Sequence, residues 1–210
     1  MESTGPSADK QVVRKYLILV LFLVPSLSCG AWRILYAEQY YKLYHEHLYH
    51  YPDDTLEDIS YLEAALKADF VNPLYALAPI TDKTQWERYR YLFSMHVNLK
   101  LIYSWLTVAS KYDKFNAYFY NAPWKQENLD SLNTAEAAYK AAYPYWAKAK
   151  EWSAKAWAMR SIHLDNIEDW EDENFRIETG DLDYQAIIDR QLARVAKVRA
   201  AFQAMDQNTY

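Results

Sequence analysis

After residue 33, apolar side chains recur every third or fourth position along nearly the whole chain. Runs that alternate strictly between apolar and polar, rich in Val, Ile and Thr, are missing. A spacing near 3.6 lines up one face of a helix, whereas period two would line up one face of a strand. The pattern therefore predicts an all-α body, an antiparallel helical bundle.

Individual elements follow from the same pattern. A first helix is expected over "AWRILYAEQYYKLYHEHLYHY", continuous with the apolar segment before it. Pro52 stops it, and Asp53 or Asp54 can cap the next, "TLEDISYLEAALKADF", with Glu57 following. Leu56, Ile59, Leu62 and Leu66 form the buried stripe of that second helix. Asn72-Pro73 reads as an N-cap followed by proline at the first helical position, opening a short turn that ends at Pro79. Thr84 and Glu87 have capping-box spacing. Beyond them Leu92, Met95, Leu99, Ile102, Leu106 and Ala109 recur at alternating steps of three and four. That seam suits the central core helix of a bundle, or a coiled-coil face, about 43 Å long. Residues 114–133 read as a loop with aromatic anchors, and a helix starts at Asn133 with Glu136 as its third residue. Pro144 breaks it. A long helix is then expected from Tyr145 to Trp170, striped by Trp152, Ala156, Met159, His163, Ile167 and Trp170. The acidic stretch 165–183 reads as a solvated loop, Gly180 as a turn. The last helix runs from Tyr184 to Met205, with Ile188, Leu192, Val195, Val198 and Phe202 inward.

The stretch before this body sets the compartment. Tyr16 to Trp32 carries no charge over 17 residues. As a helix it would reach about 26 Å, close to a hydrocarbon core. Tyr16 and Trp32 suit the two interfaces, with Leu17, Ile18, Leu19, Val20, Leu21, Phe22, Leu23 and Val24 between them. Lys10, Arg14 and Lys15 keep the N-terminus inside. The expected division is a cytoplasmic 1–15, an anchor at 16–32 and a periplasmic all-α domain at 33–210, at a bacterial inner membrane. Two other readings stay open: a cleaved signal with Ser26 and Ser28 before the cut, or a lipoprotein modified at Cys29 in "SLSC". All three place the body outside the cytoplasm.

Composition narrows the chemistry. Net charge is −5 with three glycines and one cysteine. There is no basic excess for a nucleic acid and no glycine-rich loop for a nucleotide. A lone Cys29 excludes an internal disulfide in the body. His45, His47 and His50 cluster, but only His47 and His50 share a helix face, so surface histidines are expected and no metal site. His163 and His96 read as core histidines. Glu168 and Asp172 are like-charged neighbours, not an acid–base couple. No catalytic residue, cofactor or small-molecule substrate is assigned. What stands out is 20 Tyr and 8 Trp. Tyrosine gives contact area at low rotamer cost with a polar tip, which suits either the edge of a core or a partner-facing surface. The candidate partner interface is Tyr89, Tyr91, Tyr118, Tyr120 and Trp124.

Two helix pairs carry small-residue spacings of a degenerate tetratricopeptide repeat. Ala135, Tyr139 and Ala142 stand at the spacing of its second helix, and Ala65-Leu66 precede Asn72-Pro73. The block from Lys67 to Trp124, with "AEAAYKAAYPYWAKAKEWS" after it, resembles spirochaete membrane-anchored periplasmic proteins and is similar in style to components of the periplasmic flagellar collar. The resemblance implies a non-enzymatic scaffold that binds other protein subunits, supporting stator assembly and motility. The rival reading is a periplasmic lipoprotein holding a small ligand in an aromatic-lined cleft for a transporter.

Overall fold

A computed structural model of the protein describes residues 34–206, with only the backbone of Phe119 among them. The anchor candidates between Tyr16 and Trp32, and Cys29, lie outside the described residues. Among the described residues every regular element is helical, so the all-α reading holds. The one extended pairing is a single parallel bridge between Tyr36 and Asp69. None of the described helices is long and apolar enough to cross a membrane.

Helix α1 spans Ala37–His50. It does not begin as far back as expected, because Tyr36 is extended. There the chain is strapped to the end of the following helix by Ala37 N–H donating to Asp69 O at 2.9 Å. The Gln39 side-chain oxygen accepts from the Leu35 and Tyr36 amides, satisfying donors that a helix start leaves free. Helix α2 is Thr55–Lys67, capped by Asp54 accepting from the Glu57 amide. Ile59 and Leu62 are buried, but Leu56 points to solvent at 61% exposure. Asn72 caps the short 3-10 turn Pro73–Tyr75, as its sequence predicts.

Helix α3, Lys83–Tyr112, is the hub. Its cap is Asp82, which accepts from the Thr84 and Gln85 amides, so Thr84 is not the capping residue. The helix is about 45 Å long and packs against α2 and three later helices. Leu92, Met95, Leu99, Ile102 and Ala109 are buried as expected, yet so are Tyr89, Phe93, Val97, Leu101 and Val108. Burial on so much of the circumference rules out a narrow pairing seam.

After a 3-10 turn at Phe119–Trp124, helix α4 covers Lys125–Ala141, starting eight residues before the expected Asn133. Helix α5, Tyr143–Trp157, follows with Pro144 in its first turn. Ala135, Ala138, Ala142, Ala149 and Ala156 are buried here, and their small side chains let backbones approach closely.

The expected 145–170 helix is two helices. Helix α5 ends at Trp157, and α6 begins at Glu168 and runs to Thr179. Asn166 takes a left-handed φ of 70°, which Asn tolerates better than most residues. His163 consequently sits in the turn, 81% exposed, and is not a core histidine. Gly180 ends α6 at φ 83°, the left-handed cap that favours glycine. Helix α7, Tyr184–Ala204, is capped by Asp183 and lays Ile188, Val195, Val198 and Phe202 inward, mainly against α4.

The acidic stretch is therefore a structural helix, not a solvated loop, because it supplies the partners that α3 needs. Arg88, 2% exposed, has Glu171 Oε1 at 2.8 Å. Glu171 also accepts from the Leu164 amide at 3.1 Å and pairs with His163. Buried His96 lies between Tyr41 on α1 and Glu173 on α6, at 2.8 Å and 2.5 Å. A carboxylate only accepts, so Nδ1 of a neutral ring carries the proton and Nε2 accepts from Tyr41 Oη. Trp170 stacks on the ring at 4.8 Å between centroids. Tyr41 and Phe93 meet Trp170 edge-on. Glu38, also buried, accepts from Tyr89 Oη and the Val71 amide.

These pairs make stability predictions. Glu171→Leu strands a buried guanidinium and should cost about 3 kcal/mol in urea unfolding, while Arg88→Met with Glu171→Leu should recover most of the loss. A double variant no more stable than the single one refutes the pairing argument. Burial holds His96 below the ordinary histidine range, helped by Lys100 and opposed by Glu173 and Asp169. Burial, Lys100 and His96 depress His45 likewise. The unfolded chain then takes up protons that the folded one refuses, so this stability is present above about pH 6.5 and is lost as pH falls below it. The urea midpoint should fall between about pH 7 and pH 5.5, and His45→Gln with His96→Gln should flatten that slope. An unchanged slope in the double variant refutes this assignment.

Candidate functional site

Two surface features stand out from this frame. The first is built by the connection from α3 to α4. Lys111 ends α3 tied to α2, donating to Asp53 O at 2.6 Å and to Thr55 Oγ1 at 3.1 Å. Asp113 just after it accepts from Tyr139 Oη at 2.8 Å and pairs with Arg194 of α7. Held at its root, the segment turns its rings outward. Phe115, Tyr118, Tyr120 and Trp124 are 77%, 48%, 56% and 57% exposed. Tyr118 and Tyr120 stack nearly parallel, 5.3 Å between centroids. Beside them the Arg194 guanidinium lies over the Phe115 ring at 4.2 Å. A shallow groove of about 320 Å³ continues past Phe115, Ala117, Val198 and Ala201 with Lys197 at its edge.

The expected interface residues thus separate. Tyr118, Tyr120 and Trp124 come together on this face. Tyr89 does not: it is wholly buried in the core, and burial beside Glu38 pushes its hydroxyl far above the usual tyrosine range. It cannot face a partner in this fold. Tyr91 is half-buried, stacked on Trp152 and donating to Glu87 at 2.7 Å. Phe115 belongs to the face although the sequence reading did not single it out.

The second feature is a cleft of about 330 Å³ between α1, α3, α6 and the start of α7. Leu48, Leu99 and Leu182 give it an apolar floor. Tyr44, Tyr103 and Tyr184 supply rings. Burial, with Asp58 and Tyr103 nearby, raises the Tyr44 hydroxyl to about 12, so it stays protonated and can donate. His45, Lys100, Glu173 and Arg176 complete the wall. Glu173 is already engaged by His96. None of these residues was predicted as a site. They come from four helices, and no local motif links them. Of the N-terminal histidines, His47 pairs with Asp58 of α2 at 2.8 Å, and among the described residues no group of His, Cys, Asp or Glu could hold a metal ion. Glu168 and Asp172 are both exposed.

Comparison with known proteins adds one match. No curated protein and no solved structure matches the chain. The family described as Domain of unknown function (DUF8513) matches residues 84–205, which carry α3 through α7, the hub helix and everything that packs behind it. The chain belongs to the DUF8513 family.

Proposed function

We propose that the protein is a non-enzymatic assembly subunit, tethered to a membrane by residues 16–32, whose helical domain docks another protein subunit through the aromatic face between α3 and α4. The supporting observation is that Phe115, Tyr118, Tyr120 and Trp124 are all exposed within ten residues on a connection pinned at its root. Exposed aromatic clusters are expensive in water, and aromatics dominate the energetics of protein interfaces. Arg194 is paired with Asp113, and Lys197 places positive charge at the edge of the groove beside Phe115 on a chain whose net charge is −5. An acidic segment with apolar side chains of its own is the complementary partner.

The resemblance noted in the sequence makes a periplasmic scaffold of the flagellar-collar type the assembly to test first. Helices α1/α2 and α3/α4 are the pairs that would correspond to tetratricopeptide-like units, since buried Ala65 and Ala135 lie on their second helices. Helix α3 alone, at 30 residues, nearly equals a whole 34-residue repeat, so the correspondence is of small-residue packing rather than of repeat length. In the relay of Glu173, His96 and Tyr41, the histidine and the tyrosine are buried beside Trp170 and only Glu173 reaches the cleft.

The test is native gel electrophoresis of solubilised membranes. Tyr118→Ser with Tyr120→Ser and Trp124→Ser should move the protein from a large complex to its free position, with the helical circular dichroism signal kept. Crosslinks from position 120 in the wild type should reach an acidic segment of one partner. A triple variant that stays in the complex rules out this face as the dock.

A further inference from the structure

We propose that the cleft between α1, α3 and α6 is a binding site for a small organic carboxylate with an apolar or aromatic body. Three observations carry this, and none depends on the aromatic face. The cleft's volume, about 330 Å³, falls at the small end of ligand pockets, which run from about 300 to 1,000 Å³. Its lining combines Leu48, Leu99, Leu182 and three tyrosine rings with the charged side chains of Lys100, Glu173 and Arg176.

The charges are the informative part. Lys100 and Arg176 both line the cleft, and among the described residues neither side chain makes a hydrogen bond or an ion pair. Lys100 is half-buried and Arg176 exposed, and neither has a counter-charge, whereas Arg88 has Glu171, Arg194 has Asp113, Arg199 has Glu136 and His47 has Asp58. Two cations left without one beside a concave apolar wall make a recognition site for an anion. Glu173 also lines the cleft and keeps its negative charge while it accepts from the neutral His96, so the lining sets two cations against one carboxylate. Burial is the main cause that holds His45 and His96 low; Lys100 adds to it at both, and Glu173 opposes it at His96.

The geometry also sets the ligand class. A guanidinium grips a carboxylate through two parallel N–H donors, and the Lys100 ammonium adds a point charge. The Tyr44 hydroxyl, held protonated, can donate a further hydrogen bond. Tyr103 and Tyr184 offer ring faces to the body of the ligand, and Leu48, Leu99 and Leu182 exclude water beneath it. Inorganic anions would use the cations and leave the rings idle. A neutral ring compound would use the rings and leave both cations idle.

Isothermal titration of the purified full chain with phenylacetate, benzoate and indole-3-acetate tests this, with phenylacetamide and sodium sulfate as comparison probes. Saturable binding of at least one carboxylate is expected, with phenylacetamide weaker by about tenfold or more. Lys100→Met and Arg176→Met should each weaken carboxylate binding by a similar factor without loss of helical signal. Tyr103→Ala should weaken the aromatic carboxylates while leaving any sulfate binding unchanged. The idea fails if no carboxylate saturates at millimolar concentration. It also fails if the amide binds as well as the acid, or if both cation variants bind as the wild type does. Complex formation through the aromatic face is read separately on native gels, so loss of one result leaves the other standing.

Discussion

A helix buried on most of its circumference must find partners for every polar side chain it carries inward. Helix α3 carries Arg88, His96, Asn98 and Ser104 into the interior. Asn98 solves the problem locally by donating to the Ser94 carbonyl at 2.7 Å. Arg88 and His96 cannot, since a charged or titratable group out of water needs an opposing group close by. Helix α6 meets both demands from one side with Glu171 and Glu173, two residues apart. That spacing is not that of a single helix face. It works because Glu171 sits at the start of α6, where it can also take the Leu164 amide and hold the turn. The break between α5 and α6 and the neutralisation of α3 are thus one arrangement.

This explains which parts of the structure were legible in the sequence. Asp54 and Asn72 cap their elements where the sequence places them, because a cap is decided by a side chain and a backbone group a few residues away. The start of α4 was illegible because Trp124 makes no side-chain cap, and the polar first turn "KQEN" looks like loop. The break after Trp157 was illegible for a different reason. The apolar period runs on from Ala156 to Ile167 and Trp170, all three buried, although the chain between them is not helical. The deciding contact is between Arg88 and Glu171, far apart in sequence, and periodicity cannot register it. Tyr89 was misplaced by the same blindness. The spacing that puts it near Tyr91 says nothing of Glu38, to which it donates across the core. The cleft escaped notice because its wall is assembled from α1, α3, α6 and α7 at once.

Aromatic residues divide between these two economies. Tyr41, Phe70, Tyr89, Phe93 and Trp170 pack edge-to-face or tilted at centroid distances of 5.3 to 6.3 Å, forming the ring cluster that joins α1, α3 and α6. Tyrosine serves here because its hydroxyl can end on a buried acceptor, as Tyr89 does on Glu38. The rings of the α3–α4 connection have no such enclosure. The backbone that carries them is held at its root through Asp113, Tyr139 and Arg194, and Tyr118 and Tyr120 stack on each other at the surface.

Both surface features hang on α3. Lys100 stands on the cleft wall, and the helix ends at Tyr112, about 18 Å farther along its axis. Beyond that point the aromatic connection begins. Separation of this kind lets a bound anion act on the cleft without touching the docking face. Its immediate effect is local. Burial holds His45 low with Lys100 adding to it, so a negative charge beside Lys100 would offset only the smaller part, and it would repel the carboxylate of Glu173. Glu173 is the residue that belongs to both worlds, since one side of it lines the cleft and an oxygen of it holds His96. Glu173 thus joins the cleft wall to the hydrogen-bond relay that links α1, α3 and α6.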